Sequence, residues 1–178
     1  LLGEKPRILA TLGHDYQRYF QWLEQRGIAT DNIRIIPEEL TASAYITSDS
    51  ADNQITSFNA GAMKHPSRYD SAKNDPSQCI AIVAPGNLQD MAEYAQTYQE
   101  MGVFCIFDPG QSLPAWNATD LAQSIGRANI LVSNDYELQM IMNMTGLSVQ
   151  QILGMVDTII TTKAEEGCQL VTRAGTIE

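Results

Sequence analysis

The sequence predicts an open α/β fold organised around a parallel sheet, and three observations carry that prediction. From Gln78 onward, short apolar runs alternate with helical patterns: strand Cys79 to Ala84, helix Leu88 to Glu100, strand Val103 to Phe107, helix Asn117 to Gly126, strand Ile130 to Val132, helix Asp135 to Thr145. That rhythm implies βαβ units with right-handed crossovers, which leave neighbouring strands parallel. Each run also stops abruptly in turn chemistry, at Pro85-Gly86, Asp108-Pro109-Gly110, Ser133-Asn134 and, after TIITT, Thr161-Thr162. Four such strand ends predict one polar rim. Finally, 178 residues with 44% hydrophobic and 18% charged content suit a single globular domain with a sizeable core.

Taken in order, PRILATLG (Pro6 to Gly13) reads as a strand, and Tyr16, Tyr19, Phe20 and Leu23 follow at helical spacing. Gly27 is placed to stop that helix in the left-handed conformation, after which Ile33, Ile35 and Ile36 resume extended structure. Leu40 to Ser48 and Gln54 to Phe58 are strand-like runs around SDSADN, where Ser48, Asp49, Asp52 and Asn53 supply hairpin turn chemistry. Few large apolar residues occur in these two runs, so the hairpin is expected to be half exposed, a flap over something else. Lys64 to Ser77 reads as a polar loop with one weak helix. In the helix from Leu88, the residues Leu88, Met91, Ala92, Ala95 and Tyr98 form one apolar stripe and are assigned to the core. A short helix from Ser148 to Gly154 leads to strand Thr158 to Thr161, a strand from Gly167 to Thr172 and a hairpin turn at Ala174-Gly175-Thr176. Because the chain opens on Leu1-Leu2 and ends inside a strand-like pattern, it is expected to be a fragment of a longer protein.

Composition narrows the partners. A formal net charge of -10, with only 11 Lys plus Arg, disfavours a nonspecific nucleic-acid or anionic-membrane surface, because both attract basic patches. A small ligand is expected instead. No run reaches the roughly 18 apolar residues of a membrane span and no charged-then-apolar leader is present, so the chain reads as cytoplasmic. Cys79, Cys105 and Cys168 are isolated, odd in number and set in apolar strand patterns, which predicts buried, reduced thiols. His14 and His65 are single and far apart and read as structural or surface residues. Trp22 on a helix and Trp116 in a loop leave core packing and a lid contact both open.

The candidate site lies in ANILVSNDYE, Ala128 to Glu137, where a buried strand feeds a helix. In an open α/β sheet, ligands bind in the crevice beyond the carboxyl ends of the strands. Asn134-x-x-Glu137 has two readings there. It fits a capping box, in which Asn134 accepts a backbone N–H and Glu137 reaches back; the same form recurs at Asn87 to Asp90, Asn117 to Asp120 and Ser148 to Gln151. On the sheet edge, a carboxylate beside a helix N-terminus also suits phosphate oxygens and a hydrated Mg²⁺, which takes few protein ligands. Asp108 reads as a phosphate-side group or as a turn residue before Pro109. Tyr45 and Phe58 read as cross-strand packing or as ligand contacts under the flap.

In order and spacing these motifs resemble the ribokinase-like (PfkB) family of carbohydrate and nucleoside kinases, across all 178 positions but only the central part of a family member. Asn134-x-x-Glu137 matches the family's Asn-x-x-Glu, and Leu40 to Met63 resembles its lid hairpin with a Gly61-Ala62 step. Asp108-Pro109-Gly110 resembles the strand end on the phosphate side. Thr162 to Gly167 resembles the nucleotide turn Thr-x-Gly-x-x-Gly, with Ala164 where the first Gly is usual. TASAYITSD, NQI and FNAGAM look most like bacterial adenosine, nucleoside or ribokinase-type members. The family's early Gly-Gly and late Gly-Ala-Gly-Asp segments lie outside these residues.

The resemblance implies a three-layer, Rossmann-like (ribokinase-like) parallel sheet with helices on both faces and a small β lid. Residues 1–178 would be the central part of one kinase domain and residues 33–62 its lid segment. ATP and Mg²⁺ are implied, with transfer of the γ-phosphate to a primary hydroxyl of an adenosine-like nucleoside or of a sugar, as in ribokinase or fructokinase. A noncatalytic ligand-binding relative is the alternative from another class. Asn134, Glu137 and Asp108 would position Mg²⁺ and phosphate, Glu137 holding the metal through water. Thr162, Ala164 and Gly167 would border the nucleotide; Thr41, Ala44, Tyr45 and Phe58 would form the substrate lid. No catalytic base is assigned within the chain, the Asp being expected beyond Glu178. A homodimer through the lid is a further expectation.

Overall fold

A computed structural model describes residues 3–50, 54–71 and 75–177, which fall into two units, Leu1–Tyr69 and Asp70–Glu178. In the first unit β1 (Ala10–Gly13) pairs in parallel with β2 (Ile33–Ile36), and α1 (Gln17–Glu24) makes the crossover. β1 is shorter than PRILATLG predicts; nearer its start only Arg7 makes a bridge, to Ala29. Leu12, Leu23 and Ile33 are buried together, with Phe20 and Ile35 packed against them, as the helical spacing of Phe20 and Leu23 requires. Trp22 lies on the opposite face of α1, with Tyr19 stacked on it and the Arg26 guanidinium 3.9 Å from its ring centroid. It is a surface residue. Gly27 has φ +67, the left-handed stop that its position predicts.

The hairpin consists of β3 (Ser43–Ser48) and β4 (Gln54–Asn59), antiparallel from Ser43 opposite Asn59 to Ser48 opposite Gln54. Ala44 to Ser48 and Gln54 to Asn59 are exposed on both faces, more fully than the expected half. Of the predicted turn residues, Asp52 and Asn53 lie outside the described residues. After the hairpin, Gly61–Lys64 forms one 3₁₀ turn.

The second unit holds a six-stranded sheet. β5 (Ile80–Val83), β6 (Phe104–Phe107), β7 (Ile130–Asn134) and β8 (Thr158–Thr162) are parallel neighbours in chain order; β9 (Cys168–Thr172) and β10 (Gly175–Ile177) extend the sheet antiparallel. The connections carry α2 (Leu88–Met101), α3 (Ala118–Ile125), α4 (Asp135–Thr145) and α5 (Val149–Met155). Successive strands step the same way across the sheet, so right-handed crossovers place their helices on one face. Consistent with that, α2 contacts α3 and α3 contacts α4.

Strand alternation follows from this one-sided cover. Val83, Cys105, Phe107, Leu131 and Ile159 point to the covered face and are buried with Met91, Tyr98, Leu121, Ile125, Ile141 and Ile152. Each fully buried large side chain there contributes about 1.5–3 kcal/mol. On the other face Ile80 and Ile82 are each 67% exposed and Phe104 is 42% exposed. Of the two helical layers expected, this unit supplies one among its described residues.

Trp116 belongs to the core: its indole N–H donates to Ser112 Oγ at 3.0 Å and its ring meets Phe107 edge-on. The cysteines divide. Cys105 is buried, its thiol pushed up to about 11 by desolvation, and Cys79 is half-buried. Cys168 is exposed, contrary to expectation, because it pairs with Thr162 at the open end of the β8–β9 ladder. No described helix is long and apolar enough to cross a membrane.

Candidate active site

Because β5 to β8 run parallel, their carboxyl ends fall on one edge, and the four predicted strand ends meet there. The Asp108 N–H continues the β5–β6 pairing by donating to Val83 O at 2.9 Å. Gly110 then turns the chain at φ +38, where a Cβ would stand 2.7 Å from the Pro85 ring. No larger residue fits between these two strand ends. On the far side, Asn134 is in register with Thr162, the last residue of β8.

At the centre of this edge α4 begins. Asn134 Oδ1 accepts the Glu137 N–H at 2.7 Å, and Glu137 Oε2 accepts the Asn134 N–H at 2.9 Å. The capping box is therefore fully formed, as the sequence spacing predicts. It occupies one carboxylate oxygen of Glu137; Oε1 has no hydrogen-bond partner among the described residues. The box also orients this second oxygen, since a side chain held at its own helix start loses rotamer freedom.

Asp108 stands close enough to feel Glu137. Its carboxyl is raised above the ordinary 3.8, chiefly by desolvation and further by the Glu137 charge, with the Gly110 backbone N–H opposing. Two neighbouring carboxylates with a free oxygen, beside the positive end of a helix, form a site that a cation would stabilise. The donors are hard oxygens and few, which fits a hydrated Mg²⁺. Among the described residues there is no cluster of three or more His, Cys, Asp or Glu.

Thr162 is exposed on the same edge and leads into a tight turn, in which the Lys163 N–H donates to Gly167 O at 2.8 Å and the Gly167 N–H to Ala164 O at 3.2 Å. Gly167 has φ +88 and Ala164 has φ +48. A non-glycine residue in the left-handed region costs about 1–2 kcal/mol. The turn thus imposes a glycine-like backbone on Ala164, the position at which the sequence departs from the motif.

Two residues that the sequence places in the turn chemistry of the rim are enclosed in their strands instead. Ser133 and Thr161 sit opposite each other in β7 and β8, 2% and 3% exposed, and neither hydroxyl has a hydrogen-bond partner among the described residues.

The lid residues sort differently. Ala44 is opposite Phe58, whereas Tyr45 is opposite Ser57, so Tyr45 and Phe58 lie on different faces of the hairpin. They do not pack across the strands, and a ligand against one face meets only one of them. Thr41 precedes β3 and is bound by Asp15 rather than belonging to either blade.

A mostly parallel sheet whose carboxyl edge carries a capped helix N-terminus, two carboxylates and a glycine-type turn defines an α/β protein with its polar groups gathered at that edge. Comparison with known proteins is specific about which. The pattern of the pfkB family of carbohydrate kinases matches residues 1–178, and the chain belongs to that family. It is similar to the nucleoside kinase of Burkholderia thailandensis in complex with inosine: 35% identity, TM-score 0.89, all of this chain and 58% of that one. It is also similar to the nucleoside kinase of Methanocaldococcus jannaschii, 28% identical over 99% of this chain and 58% of that protein. The structure of that archaeal enzyme, a member of the ribokinase family, superposes with a TM-score of 0.86. A fructokinase from Xylella fastidiosa, at 18% identity and TM-score 0.80, shares the fold. The chain spans 58% of the length of the first relatives it matches.

Proposed function

We propose that the protein carrying this chain is an ATP-dependent kinase that phosphorylates a primary hydroxyl of a nucleoside. The observation that carries this reading is the carboxyl edge: a box-oriented Glu137 at the start of α4, with one oxygen unpartnered among the described residues, near enough to Asp108 at the end of β6 for its charge to raise that carboxyl. Phosphoryl transfer asks mainly for positioning and neutralisation of charge, and this edge has the parts for both. Glu137 and Asp108 would hold a hydrated Mg²⁺, which when bound neutralises phosphate charge. Asn134 fixes the helix start that faces the phosphate. Thr162, Ala164 and Gly167 would border the nucleotide, their turn presenting backbone rather than side chains. Ala44, Tyr45 and Phe58 would serve on the hairpin, with Thr41 at its base, and the hairpin would exclude water from the acceptor. The base that takes the hydroxyl proton would be the Asp of the family's Gly-Ala-Gly-Asp motif, which does not occur within residues 1–178.

The nucleoside is favoured over a sugar by the 35% identity to a nucleoside kinase described with inosine and with ADP–inosine. A sugar acceptor is the second reading, supported by the family's carbohydrate kinases. Apolar residues exposed on both hairpin faces, Ile46 and Phe58 on one and Tyr45 and Ile55 on the other, support a homodimer through paired hairpins. ADP release by the whole protein with Mg²⁺ and ATP, against inosine, adenosine, ribose and fructose, tests the assignment. Turnover with inosine or adenosine supports it. Turnover with sugars alone moves it to the second reading, and no turnover with any acceptor leaves a binding protein.

A further inference from the structure

The base of the β3–β4 hairpin is fastened far more firmly than its blades. On the entering limb, Asp15 Oδ1 accepts both the Thr41 backbone N–H at 2.8 Å and the Thr41 hydroxyl at 2.7 Å. Thr41 Oγ1 in turn accepts the Gly13 N–H at 3.1 Å, and the His14 N–H donates to Glu39 O at 3.0 Å. A Cβ on Gly13 would overlap the backbone of residues 39–41, so the end of β1 meets this limb at a distance open only to glycine. On the returning limb the Ala62 N–H donates to Leu40 O at 2.8 Å and Thr11 Oγ1 donates to Ala62 O at 2.8 Å. Gly61, at φ +44, also leaves no room for a Cβ beneath Leu40 O. Both limbs therefore converge on residues 39–41, which rest on the end of β1.

Within this base Asp15 is exposed. It adds nothing to the core around Leu12, Leu23 and Ile33, and its side-chain hydrogen bonds go to Thr41. A solvated carboxylate that spends one oxygen on two donors of the same residue fixes that residue's orientation more than it stabilises the fold. We propose that Asp15 is a positioning residue for acceptor binding: through Thr41 it sets the angle at which the hairpin leaves β1, and hence where the hairpin stands against the acceptor. The inference rests on the kinase reading above, which makes the hairpin a lid. The two Thr41 bonds also hold the Asp15 carboxyl below its ordinary value, so the bonded form is the ionised one at neutral pH.

The test is made in the whole protein. Asp15→Ala removes both bonds, Thr41→Val removes the hydroxyl bond, and Thr41→Ser keeps both. Asp15→Ala is expected to raise KM for inosine about three- to tenfold while KM for ATP stays within about twofold, as loss of charge-assisted bonds at the lid base predicts. Thr41→Val follows part of the way, and Thr41→Ser restores the acceptor KM towards wild type. Amide exchange across residues 43–48 and 54–59 quickens in Asp15→Ala while that of β7 and β8 does not change. If Asp15→Ala lowers the melting temperature with both KM values unchanged, or if Thr41→Ser is as impaired as Thr41→Val, the positioning role is overturned. Should the wild-type protein phosphorylate no acceptor, the kinase reading falls and hairpin exchange decides alone: unchanged exchange in Asp15→Ala sinks the anchor.

Discussion

Glu137→Gln separates the two jobs assigned to this residue, and the chain contains its own control. At α5 the same box is built with glutamine: Ser148 Oγ accepts the Gln151 N–H, and Gln151 Oε1 accepts the Ser148 N–H at 2.8 Å. A glutamine at position 137 can therefore keep the bond to the Asn134 N–H, and what disappears is the charge. Losing a carboxylate at a helix N-terminus costs about 0.3–1 kcal/mol, partly offset here by relief of the repulsion with Asp108. For a protein of this size the melting temperature should fall by less than about 4 °C. Glu137→Ala loses the box as well and should melt lower, by a further ~1 kcal/mol. Activity should divide the other way: in the whole protein Glu137→Gln is expected to lower kcat about 10–100-fold and to shift the Mg²⁺ titration to higher concentration, the scale seen when groups that orient a metal's ligands are lost. The Asp108 carboxyl, followed by NMR, should drop back towards its ordinary range once Glu137 is neutral. If kcat and the Mg²⁺ titration are unchanged in the glutamine variant, while the alanine variant loses activity only in step with stability, Glu137 caps a helix and does nothing more.

Other outcomes follow from single contacts. Ala164→Gly relieves a left-handed alanine at φ +48 and should raise stability by about 0.5–1 kcal/mol after the entropy of glycine is subtracted; a lower melting temperature would mean the turn holds no strain. Thr161→Val removes a buried hydroxyl without a partner among the described residues at nearly constant shape, and should stabilise the protein by about 1 kcal/mol in urea unfolding. The Asp108 carboxyl is a weaker acid in the folded state than in the unfolded chain, so its ionisation opposes folding: the native state is at no disadvantage below 3.8 and loses stability as pH rises through the raised value. Asp108→Asn should match wild type in stability at low pH and exceed it at neutral pH, and a stability difference that does not change with pH would refute the burial argument.

The parallel half of the fold was legible because its signals are local and repeat. Each apolar run from Cys79 to Thr161 is bounded by a proline, glycine or capping residue, and α2, α3, α4 and α5 start at the side-chain caps Asn87, Asn117, Asn134 and Ser148 that spacing identifies. What stayed hidden depends on which face a residue meets. Ile80 and Ile82 read as core in composition yet are exposed, because the direction in which strands succeed one another determines the covered side and no local pattern encodes it. Tyr45 and Phe58 looked like one cluster until register separated them, since a pairing in which Ala44 meets Phe58 puts Tyr45 on the other face. Cys168 misled for a related reason: an apolar pattern says strand, but exposure is set by the end of the ladder it occupies. The Asp108–Glu137 pair joins residues from different βα turns, so their mutual effect became visible only once β6 and β7 were adjacent.

The caps themselves explain why one Asn-x-x-acid motif suits a site and its copies do not. Asn87 and Asn117 also accept an N–H from their N3 residue, but that residue is aspartate, Asp90 and Asp120, and at Asn117 the aspartate takes the cap's side-chain amide, Asn117 Nδ2 donating to Asp120 Oδ2 at 2.7 Å. Glutamate is one methylene longer and reaches back to the Asn134 N–H, which pins one oxygen and aims the other. Ser148–Gln151 closes a box as well, but it carries no charge and starts a helix that follows α4, after the chain has already left the carboxyl end of β7. Among the described residues, only at Asn134 do a closed box, a charged N3 side chain and the end of an interior parallel strand coincide. β7 lies between β6 and β8, so its helix start is flanked by Asp108 on one side and Thr162 on the other. This edge carries a carboxylate from each of two βα turns and a hydroxyl from a third strand end, and the capping role uses only one oxygen of Glu137 among them. The cap is thus the means by which Glu137 is held still, and the surplus charge beside it is what needs a functional explanation.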